Sequence, residues 1–566
     1  YTASTQQQCH QRPSIVQQTH ARMKPVLQLF LREQLIFSSV VRRFLRWYVF
    51  FLRCLLWPLT SLVRLTPRTS CPPVTNRLLL LPAVDLAKII RTRQVTCTEV
   101  VEAYISRAKE VNPLLNAIVQ DRFQEALVEA EEIDGLLSSG KLSVEHLENN
   151  LPLLGVPLTV KETIAVRGMS NNGAWSLVPS HTAREDADIV RLLREAGAIP
   201  LLVSNTPELC MNWETDNPRI GRTNNPYDPR RTPGGSSGGE AALLGSAASV
   251  VGVASDIGGS LRLPAMFTGV YGHKPTPGYV SNRGHRPSSQ DGCWDHYFTL
   301  GPMCRYARDL PVILNTIVAD PRRARELRLD EQVDLTKVKV FYMEDDGPER
   351  MFTDSVNSDM KTAMRTAVHY LREKYGLPVK QVSIQGLENI VSLSTLIMLR
   401  MKGIPNVYQR HQDNPDEWNS VLYTIGKRLL GLTTSSTTCL MYAPLKTLVD
   451  SIPDEEFGKL LKKKELLMDR FKDMLGEDGV FLYPAFPTGA HFHGQIYFKF
   501  LNSAYLTLFN MLEMPVTACP MGLDKNGLPV GIQISAWQKQ DRLTIAVARA
   551  LEQEFGGWIP PCPIPD

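Results

Sequence analysis

Two Gly-Ser turns and one lysine carry the residue types of a serine hydrolase. The stretch GGSSGG contains Ser236 and Ser237, and a second turn, GGS, ends on Ser260, 24 residues after Ser236. A serine hydroxyl attacks a carbonyl only when a base takes its proton. His is the usual base, but Lys can serve where burial lowers its pKa from about 10.4 toward 7–8. Lys161, in the apolar stretch GVPLTVKE, is therefore a candidate base.

The GGSSGG loop partly matches three other patterns, but the residues next to it argue against each of these interpretations. A Gly/Ser linker runs on in low complexity, whereas this loop passes at once into an apolar helix. A P-loop has Lys after its last glycine, and Glu240 stands there. The nucleophile elbow of α/β hydrolases needs a strand leading into the serine, and the preceding DPRRTP is a poor strand. A nucleophile elbow with a His base remains the alternative, and an activity that depends on His would support it.

The second turn is the better place for a nucleophile. The apolar run SVVGVAS predicts a buried strand, and Gly258, Gly259 and Ser260 follow it directly. Glycines there allow consecutive backbone N–H groups to point inward, as an oxyanion hole requires. Asp256 and Arg262 flank the turn and could pair to hold it, since a buried Asp alone would be costly.

Alternating helices and strands must position these residues. From about residue 79 the pattern is globular: GVPLTVKE and SVVGVAS read as buried strands, and apolar helical segments follow each Gly-rich turn. A helical pattern precedes Pro113, which we take as its stop. Two short strands are expected around a turn at Asn526 and Gly527, followed by a helix. The sequence thus predicts the α/β fold class, built around a largely buried sheet.

The N-terminal part has a different composition. Residues 1–34 are polar and Gln-rich, which predicts disorder, and residues 35–66 interleave Arg with Phe, Trp and Leu. This second segment predicts membrane association, either as a short span or as an interfacial helix; a helix packed on the body is the alternative. Residues 67–78 read as a linker, and residues 79–566 as the catalytic domain.

Charge and cysteine content exclude several classes of protein. The net charge is +4, but residues 1–70 hold ten Lys and Arg against one acid, so the remainder carries −5. This distribution argues against a nucleic-acid-binding body. None of the ten cysteines forms a CxxC pair, which predicts reduced thiols in a reducing compartment. Nothing near His491 and His493 completes a metal site, so we expect neither metal nor cofactor.

Seven motifs, in order, resemble those of the amidase signature family. They are GVPLTVKE (155–162), TNNPYD (223–228), GGSSGGEAAL (234–243), SDIGGSLRLPA (255–265), GHKPTPG (272–278), GPMCRYARDL (301–310) and GLPVGIQI (527–534). The resemblance runs from about residue 80 to 560. It implies the amidase signature fold, in which a large twisted mixed β-sheet is surrounded by α-helices. One departure is Leu261, where the family usually has Ile, and it leaves every expected catalytic position intact.

The resemblance also implies a Ser-Ser-Lys triad. Neutral Lys161 would take a proton from Ser236, which the family holds on a cis peptide bond, and Ser236 would take one from Ser260. Ser260 would then attack the amide carbonyl and form an acyl-enzyme. The implied oxyanion hole consists of the backbone N–H groups of Ile257, Gly258, Gly259 and Ser260. Two further roles are implied: Ser237 as a hydrogen-bonding support, and Cys210 as a lining residue of the acyl pocket.

Within the family, the motifs and the apolar N-terminus are most similar to the fatty-acid amide hydrolases. The implied substrates are primary fatty amides and N-acylethanolamines, which partition into lipid, so we expect a membrane-associated intracellular enzyme. The expected partners are the lipid amide and the membrane, without nucleic acid, and a homodimer is left open. Residues 416–440 contain a basic-apolar helix that could guide lipid. The alternatives are an amidase for small polar amides, a glutaminase subunit, or a catalytically silent lipid-binding or scaffold protein.

Overall fold

The computed structural model describes most of the chain after the N-terminal segments. Described are residues 47, 50–51, 53–55, 57–58 and 62–564, except 177–178, 347–352, 388–389, 412–413 and 433–434. The predicted disordered segment 1–34 lies outside the described residues, as does much of the predicted membrane segment. Across the described residues, no helix combines the length and apolarity needed to cross a bilayer.

An eleven-stranded mixed sheet forms the centre of the molecule. Its order is β1-β3-β2-β6-β8-β7-β14-β15-β13-β9-β10. The strands are β1 (Ile118–Asp121), β2 (Pro157–Lys161), β3 (Ile199–Ser204), β6 (Val251–Asp256), β7 (Tyr271–Lys274), β8 (Thr299–Cys304), β9 (Lys339–Tyr342), β10 (Val379–Gln381), β13 (Gly479–Pro484), β14 (Val516–Leu523) and β15 (Pro529–Ala536). Two small hairpins lie outside it: β4 (Asp216–Asn217) with β5 (Gly221–Arg222), and β11 (Gln409–His411) with β12 (Asn414–Trp418).

Helices surround this sheet. They are α1 (Ala83–Arg91), α2 (Cys97–Leu115), α3 (Phe123–Ser138), α4 (Val144–Asn150), α5 (Asp188–Glu195), α6 (Gly238–Gly245), α7 (Arg262–Thr268), α8 (Trp294–Tyr297), α9 (Leu310–Ile317), α10 (Pro321–Leu327), α11 (Ser358–Tyr375), α12 (Ile390–Leu399), α13 (Val421–Leu429), α14 (Thr437–Asp450), α15 (Asp454–Leu475), α16 (Ile496–Lys499), α17 (Ala504–Met511) and α18 (Asp541–Phe555). Short 3₁₀ turns span Leu62–Leu65, Arg77–Leu80, Glu208–Cys210, Ala307–Asp309, Leu335–Lys337 and Phe500–Ser503. The predicted α/β class, with a mixed sheet inside a layer of helices, is confirmed.

The elements near the two Gly-Ser turns lie where the apolar pattern places them. Strands β2 and β6 are buried along their whole length, and α6 begins directly after the GGSSGG loop. The hairpin of β14 and β15 turns at Asn526 and Gly527, as predicted. The predicted stop at Pro113 is wrong by two residues. Helix α2 carries this proline in its last turn and ends at Leu115, and the next residue, Asn116, has a φ of 50° that leaves the helical region.

The segment predicted as a linker, residues 67–78, packs against the body. Cys71 and Val74 are buried, and the backbone N–H of Cys71 donates to the carbonyl of Pro226 at 3.2 Å. The side chain of Arg68 donates to the Tyr227 carbonyl at 3.2 Å. The chain therefore enters the domain along a fixed path.

The register of two parallel strands sets the geometry of the site. Strands β2 and β6 pair with Leu158 opposite Val251 and Val160 opposite Val253. Their carboxyl ends consequently meet at one edge of the sheet, which is where open α/β sheets carry their ligand sites. Lys161 ends β2 and Asp256 ends β6, so the candidate base and the second Gly-Ser turn emerge side by side.

Candidate active site

Lys161 lies fully buried at the end of β2, among hydroxyl groups. Its Nζ is 2.7 Å from Ser236 Oγ and 2.9 Å from Ser255 Oγ. Burial lowers the pKa of Lys161 because the charged ammonium loses its hydration. A lysine held between neutral hydroxyls in a buried position can therefore act as a proton acceptor.

In the GGSSGG loop, the backbone is fixed both before and after Ser236. The Gly235–Ser236 peptide bond is cis, as the resemblance implies. Thr206 Oγ1 donates to the Ser236 carbonyl at 3.1 Å, and Ser236 itself is fully buried. A Cβ on Gly239 would lie 2.5 Å from the backbone of Asn205, so no larger residue fits there. The loop is thus a close-packed turn in the body and not a linker.

The second turn follows β6 and presents Ser260 at the edge of the sheet. Gly259 has a φ of +96°, and a Cβ there would lie 2.4 Å from Leu506 Cβ. Both the backbone conformation and the close packing on α17 require glycine. Ser260 retains 5% exposure, whereas Ser236 and Lys161 have none. Of these three side chains, Ser260 is the one that a substrate can reach.

Asp256 organises the second turn through an ion pair with Arg262. The guanidinium donates to both carboxylate oxygens at 3.1 Å, and both side chains are fully buried. Asn510 adds a hydrogen bond at 2.9 Å, and the N–H of Leu261 another at 3.1 Å. Burial alone would raise the pKa of Asp256, but Arg262 and Asn510 more than offset it and lower it to about 2. The expected pairing of Asp256 with Arg262 is confirmed.

The expected oxyanion donors are not equivalent. The N–H of Gly259 donates to Asp256 Oδ1 at 2.8 Å, so this donor is already engaged. Among the described residues, the N–H groups of Ile257, Gly258 and Ser260 have no acceptor. The Gly258 carbonyl accepts from Trp213 Nε1 at 2.8 Å, which fixes the neighbouring peptide plane. Three N–H groups are therefore available at the turn, and the expectation of four needs correction for Gly259.

The two serine turns meet through their backbones. The Ser237 N–H donates to the Ser260 carbonyl at 3.2 Å. Within the described ranges, the hydroxyls of Ser236 and Ser260 are not hydrogen-bonded to each other. The Ser237 hydroxyl is buried and lacks a partner among the described side chains, contrary to its expected hydrogen-bonding role. Ser237 supports the site through its N–H instead.

Cys210 lies beside Lys161, on the inner side of the site. Its Sγ is 3.6 Å from Thr206 Oγ1, and its thiol also faces Lys161 and His285. Burial would raise the pKa of the Cys210 thiol, whereas Lys161, when protonated, and the contact with His285 lower it. The structure thus places Cys210 next to the candidate base.

Sequence reasoning missed two residues of this cluster, Ser255 and His285. His285 Nε2 is 3.1 Å from Ser255 Oγ, and its Nδ1 is 2.7 Å from the Pro287 carbonyl oxygen. Both side chains are buried. Ser255 lies inside the SDIGGSLRLPA motif, and its position within a buried strand was the one available signal. His285, in a loop 30 residues further on, gave none.

The residues considered for other chemistries lie in different settings. Glu240 is fully buried and accepts from Thr159 Oγ1 at 2.6 Å, and burial raises its pKa to about 7. His493 Nδ1 is 2.8 Å from Glu214 Oε1, and His491 Nδ1 is 3.1 Å from the Phe492 carbonyl. In the part of the chain that the structure describes, no three His, Cys, Asp or Glu side chains are grouped as metal ligands.

Comparisons with known proteins show which families and folds this chain is similar to. The family model described as Amidase matches residues 99–545. The chain is 42% identical to fatty-acid amide hydrolase 2 of Homo sapiens, covering 88% of this chain and 92% of that protein. It is 39% identical to fatty-acid amide hydrolase 2-A of Danio rerio, covering 92% and 98%. A solved structure of a fatty acid amide hydrolase superposes with a TM-score of 0.67 at 21% identity, covering 85% of this chain and 86% of that one. The names of these relatives agree with the resemblance of the motifs to the fatty-acid amide hydrolases.

Proposed function

Because the chain belongs to the amidase signature family and is an amide-cleaving hydrolase, we propose that it hydrolyses fatty-acid amides through Lys161, Ser236 and Ser260. The substrates are primary fatty amides and N-acylethanolamines, and the products are a free fatty acid and an amine. The observation that carries the proposal is the 2.7 Å contact between the buried Lys161 Nζ and Ser236 Oγ, beside the Ser260 turn.

The proton path runs through the two Gly-Ser turns. Neutral Lys161 accepts the Ser236 proton, while Ser236 Oγ accepts the proton of Ser260 and Ser260 Oγ attacks the amide carbonyl. For this step the Ser236 and Ser260 hydroxyls must come into hydrogen-bond contact. When the tetrahedral intermediate collapses, the C–N bond breaks, Ser236 donates its proton to the departing amine, and Lys161 returns one to Ser236. Water then attacks the acyl-enzyme by the same path and releases the fatty acid.

Backbone donors stabilise the negative charge that develops on the carbonyl oxygen. The free N–H groups of Ile257, Gly258 and Ser260 are the proposed donors, and the Gly259 N–H joins them only if it leaves Asp256. Preorganised donors of this kind contribute about 3–4 kcal/mol each to transition-state stabilisation. The Asp256–Arg262 pair holds the turn that carries them. No metal or cofactor is needed for this path.

An apolar cluster beside the site supports a long acyl chain as substrate. Leu209 and Met211, on either side of Cys210, pack into a cluster separate from the main core. Its buried members are Leu209, Val407, Tyr408, Cys439, Leu440 and Ala443. Val421 of α13 packs on the same cluster, which therefore lies between Cys210 and helices α13 and α14. We propose that the acyl chain follows this apolar path and that Cys210 lines its inner end.

The outer side of α13 and α14 supports delivery of the substrate from a membrane. Large apolar side chains are exposed there: Leu422, Tyr423, Leu430, Leu432, Met441, Leu445 and Leu448. Exposed apolar patches mark membrane or protein contact sites. Lys427 and Arg428, in the last turn of α13, add positive charge suited to anionic headgroups. This surface coincides with the basic-apolar helix predicted within residues 416–440.

The N-terminal helix extends the same apolar surface. Its described residues Trp47, Phe50, Phe51, Leu55 and Trp57 are exposed to between 46% and 68%. Arg53 pairs with Asp354 at 2.5 Å and lies over the Phe498 ring of α16, and the neighbouring Tyr497 contacts Thr437 of α14. We therefore propose that this helix and the α13–α14 pair bind one membrane face together, as an interfacial attachment.

Amide hydrolysis with matched substrates tests the proposal. Turnover of oleamide and anandamide should exceed that of a short aliphatic amide by at least about tenfold in kcat/KM, since each buried CH₂ adds about 0.8 kcal/mol. A fluorophosphonate probe should label the wild type and not Ser260→Ala. Preference for the short amide would favour the small-amide alternative, and a wild type that takes no label would favour the silent scaffold.

The membrane face is tested separately. The double variant Leu422→Asp/Leu432→Asp should bind anionic vesicles less tightly and turn over vesicle-borne oleamide more slowly. Its hydrolysis of a soluble short amide should stay unchanged, because both side chains are exposed whereas Lys161 and Ser236 are fully buried. Unchanged vesicle binding would exclude this surface as the attachment site.

A further inference from the structure

We propose that His285 is a positioning residue that keeps the lone pair of Lys161 free for Ser236. It does so by fixing the direction of the hydrogen bond made by the Ser255 hydroxyl. The inference rests on the proposed function in that Lys161 acts as the base, but it does not depend on which amide is cleaved.

The three side chains form an unbroken chain of contacts. Lys161 Nζ is 2.9 Å from Ser255 Oγ, and Ser255 Oγ is 3.1 Å from His285 Nε2. His285 Nδ1 is 2.7 Å from the carbonyl oxygen of Pro287. Lys161 is fully buried, Ser255 is 2% exposed and His285 is 4% exposed, so protein groups set the direction of each bond.

The Pro287 carbonyl, at the end of this series of hydrogen bonds, determines which group is the donor in each of them. The Pro287 carbonyl oxygen can only accept, so Nδ1 of His285 must carry the proton. In a neutral imidazole, Nε2 is then the acceptor. Ser255 therefore donates its proton to Nε2, and its remaining lone pairs face Lys161. Ser255 can accept a hydrogen bond from Lys161 but cannot donate one.

This direction matters because a neutral amine has one lone pair and two N–H groups. Nζ has three polar neighbours: Ser236 Oγ at 2.7 Å, Ser255 Oγ at 2.9 Å and the Cys210 thiol. With Ser255 held as an acceptor, one N–H points at Ser255 and the other at Cys210, and the lone pair is left for the Ser236 proton. Without His285, the Ser255 hydroxyl could donate into that lone pair, and Ser236 would then accept from Lys161 instead of giving up its proton.

The ring of His285 is fixed by its surroundings. It lies against Phe298 with a centroid distance of 4.6 Å, and Phe298 stacks on Trp294 at 4.5 Å. The backbone of His285 bridges to Ile164, three residues after Lys161. The Cys210 thiol also faces the ring. Because a hydroxyl is a stronger donor than a thiol, Ser255 takes the acceptor nitrogen.

The rate at which a fluorophosphonate probe reacts with Ser260 tests this role. This rate measures serine activation without an amide substrate. His285→Phe, which removes the acceptor nitrogen, should slow labelling about 10- to 100-fold, the usual cost of losing a group that orients a reactive residue. His285→Gln, whose Oε1 can accept from Ser255, should restore the rate to within about fivefold of the wild type. The matched control His296→Gln, on an exposed histidine paired with Glu513, should label within about twofold.

A double-mutant cycle with Ser255→Ala separates positioning from packing. If His285 acts through Ser255, the His285→Phe change should cost less than about threefold in the Ser255→Ala background. Equal costs in both backgrounds, or the absence of rescue by Gln, would overturn the proposal, and thermal unfolding of each variant checks that the fold is kept.

A probe-reactive enzyme that fails to cleave oleamide would refute the proposed substrate and leave the His285 result standing. A wild type that never labels would overturn both.

Discussion

The two Gly-Ser turns share a composition but differ in what surrounds their serines. The GGSSGG loop is packed against the backbone of Asn205, just after β3, and of residues 212–214, and its Ser236 contacts the buried Lys161. The 257–260 turn is held by the Asp256–Arg262 ion pair and leaves 5% of Ser260 exposed. In the proposed mechanism, the first turn contains the proton path and the second offers the attacking oxygen beside free N–H groups. The amino-acid composition of the two turns does not distinguish these roles, whereas the burial and the hydrogen-bond partners of their serines do.

Replacement of Ser260 should have the largest effect. Ser260→Ala removes the proposed attacking oxygen, so kcat for oleamide should fall by about 10⁴-fold or more, measured by fatty-acid release. The fold should be unaffected, since this hydroxyl has no hydrogen bond within the described structure. Comparable activity in Ser260→Ala would place the nucleophile on the other turn.

Replacement of Lys161 should have the second-largest effect on activity, and the size of this effect should depend on pH. Lys161→Ala should lower kcat/KM at pH 7 by about 10²–10⁴-fold, because the proton acceptor is lost. Burial lowers the pKa of Lys161, so the wild-type rate should rise with pH as the ammonium loses its proton and then level off. The deficit of the variant should shrink at high pH, where hydroxide takes over. The exposed Lys141→Ala is the control, and a pH-independent deficit would argue that Lys161 is structural.

Replacement of Asp256 should damage the second turn and leave the first intact. Asp256→Asn leaves Arg262 charged and unpaired in the core, at a cost of about 3–5 kcal/mol in unfolding free energy at pH 7. The folded-state pKa of Asp256 lies at about 2 against an ordinary 3.8. Its contribution is therefore fully present above about pH 4 and is lost as the pH falls toward 2.

Urea unfolding across that range checks the sign of this prediction. The wild type should lose stability between pH 4 and pH 2, and the gap between wild type and Asp256→Asn should narrow as the pH falls. A gap that stays constant with pH would mean that the carboxylate charge does not hold the turn.

Replacement of Ser237 should have the smallest effect. Its hydroxyl is buried without a partner among the described residues, and its N–H, which joins the two turns, is kept in Ser237→Ala. The labelling rate should change by less than about twofold, and the free energy of unfolding by less than about 0.5 kcal/mol. A loss comparable to that of Ser236→Ala would show that the hydroxyl takes part in the proton path.

The three proposed catalytic residues are easier to predict from the sequence than the residues that hold them in place. Lys161, Ser236 and Ser260 are recognisable because each lies in a short local pattern: an apolar strand, a Gly-rich loop, and a turn after a strand. The fold class followed from the same apolar periodicity. Asp256 and Arg262 could be paired from sequence because they flank one turn, six residues apart.

The missed partners come from distant parts of the chain. Ser255 and Lys161 are 94 positions apart, and His285 reaches Ser255 from a loop that carries no apolar period. The engagement of the Gly259 N–H by Asp256 is a matter of turn geometry that residue types do not encode. Such contacts depend on strand order and on the path of individual loops, which local patterns do not specify.

Strand β2 is paired in parallel on both sides, with β3 and with β6. Side chains along a strand alternate between faces, so a slip of one residue would turn Lys161 away from Ser236 altogether. Two neighbouring ladders would have to break for that slip to occur. Lys161 therefore either faces Ser236 or points to the opposite face of the sheet, and no intermediate position is available.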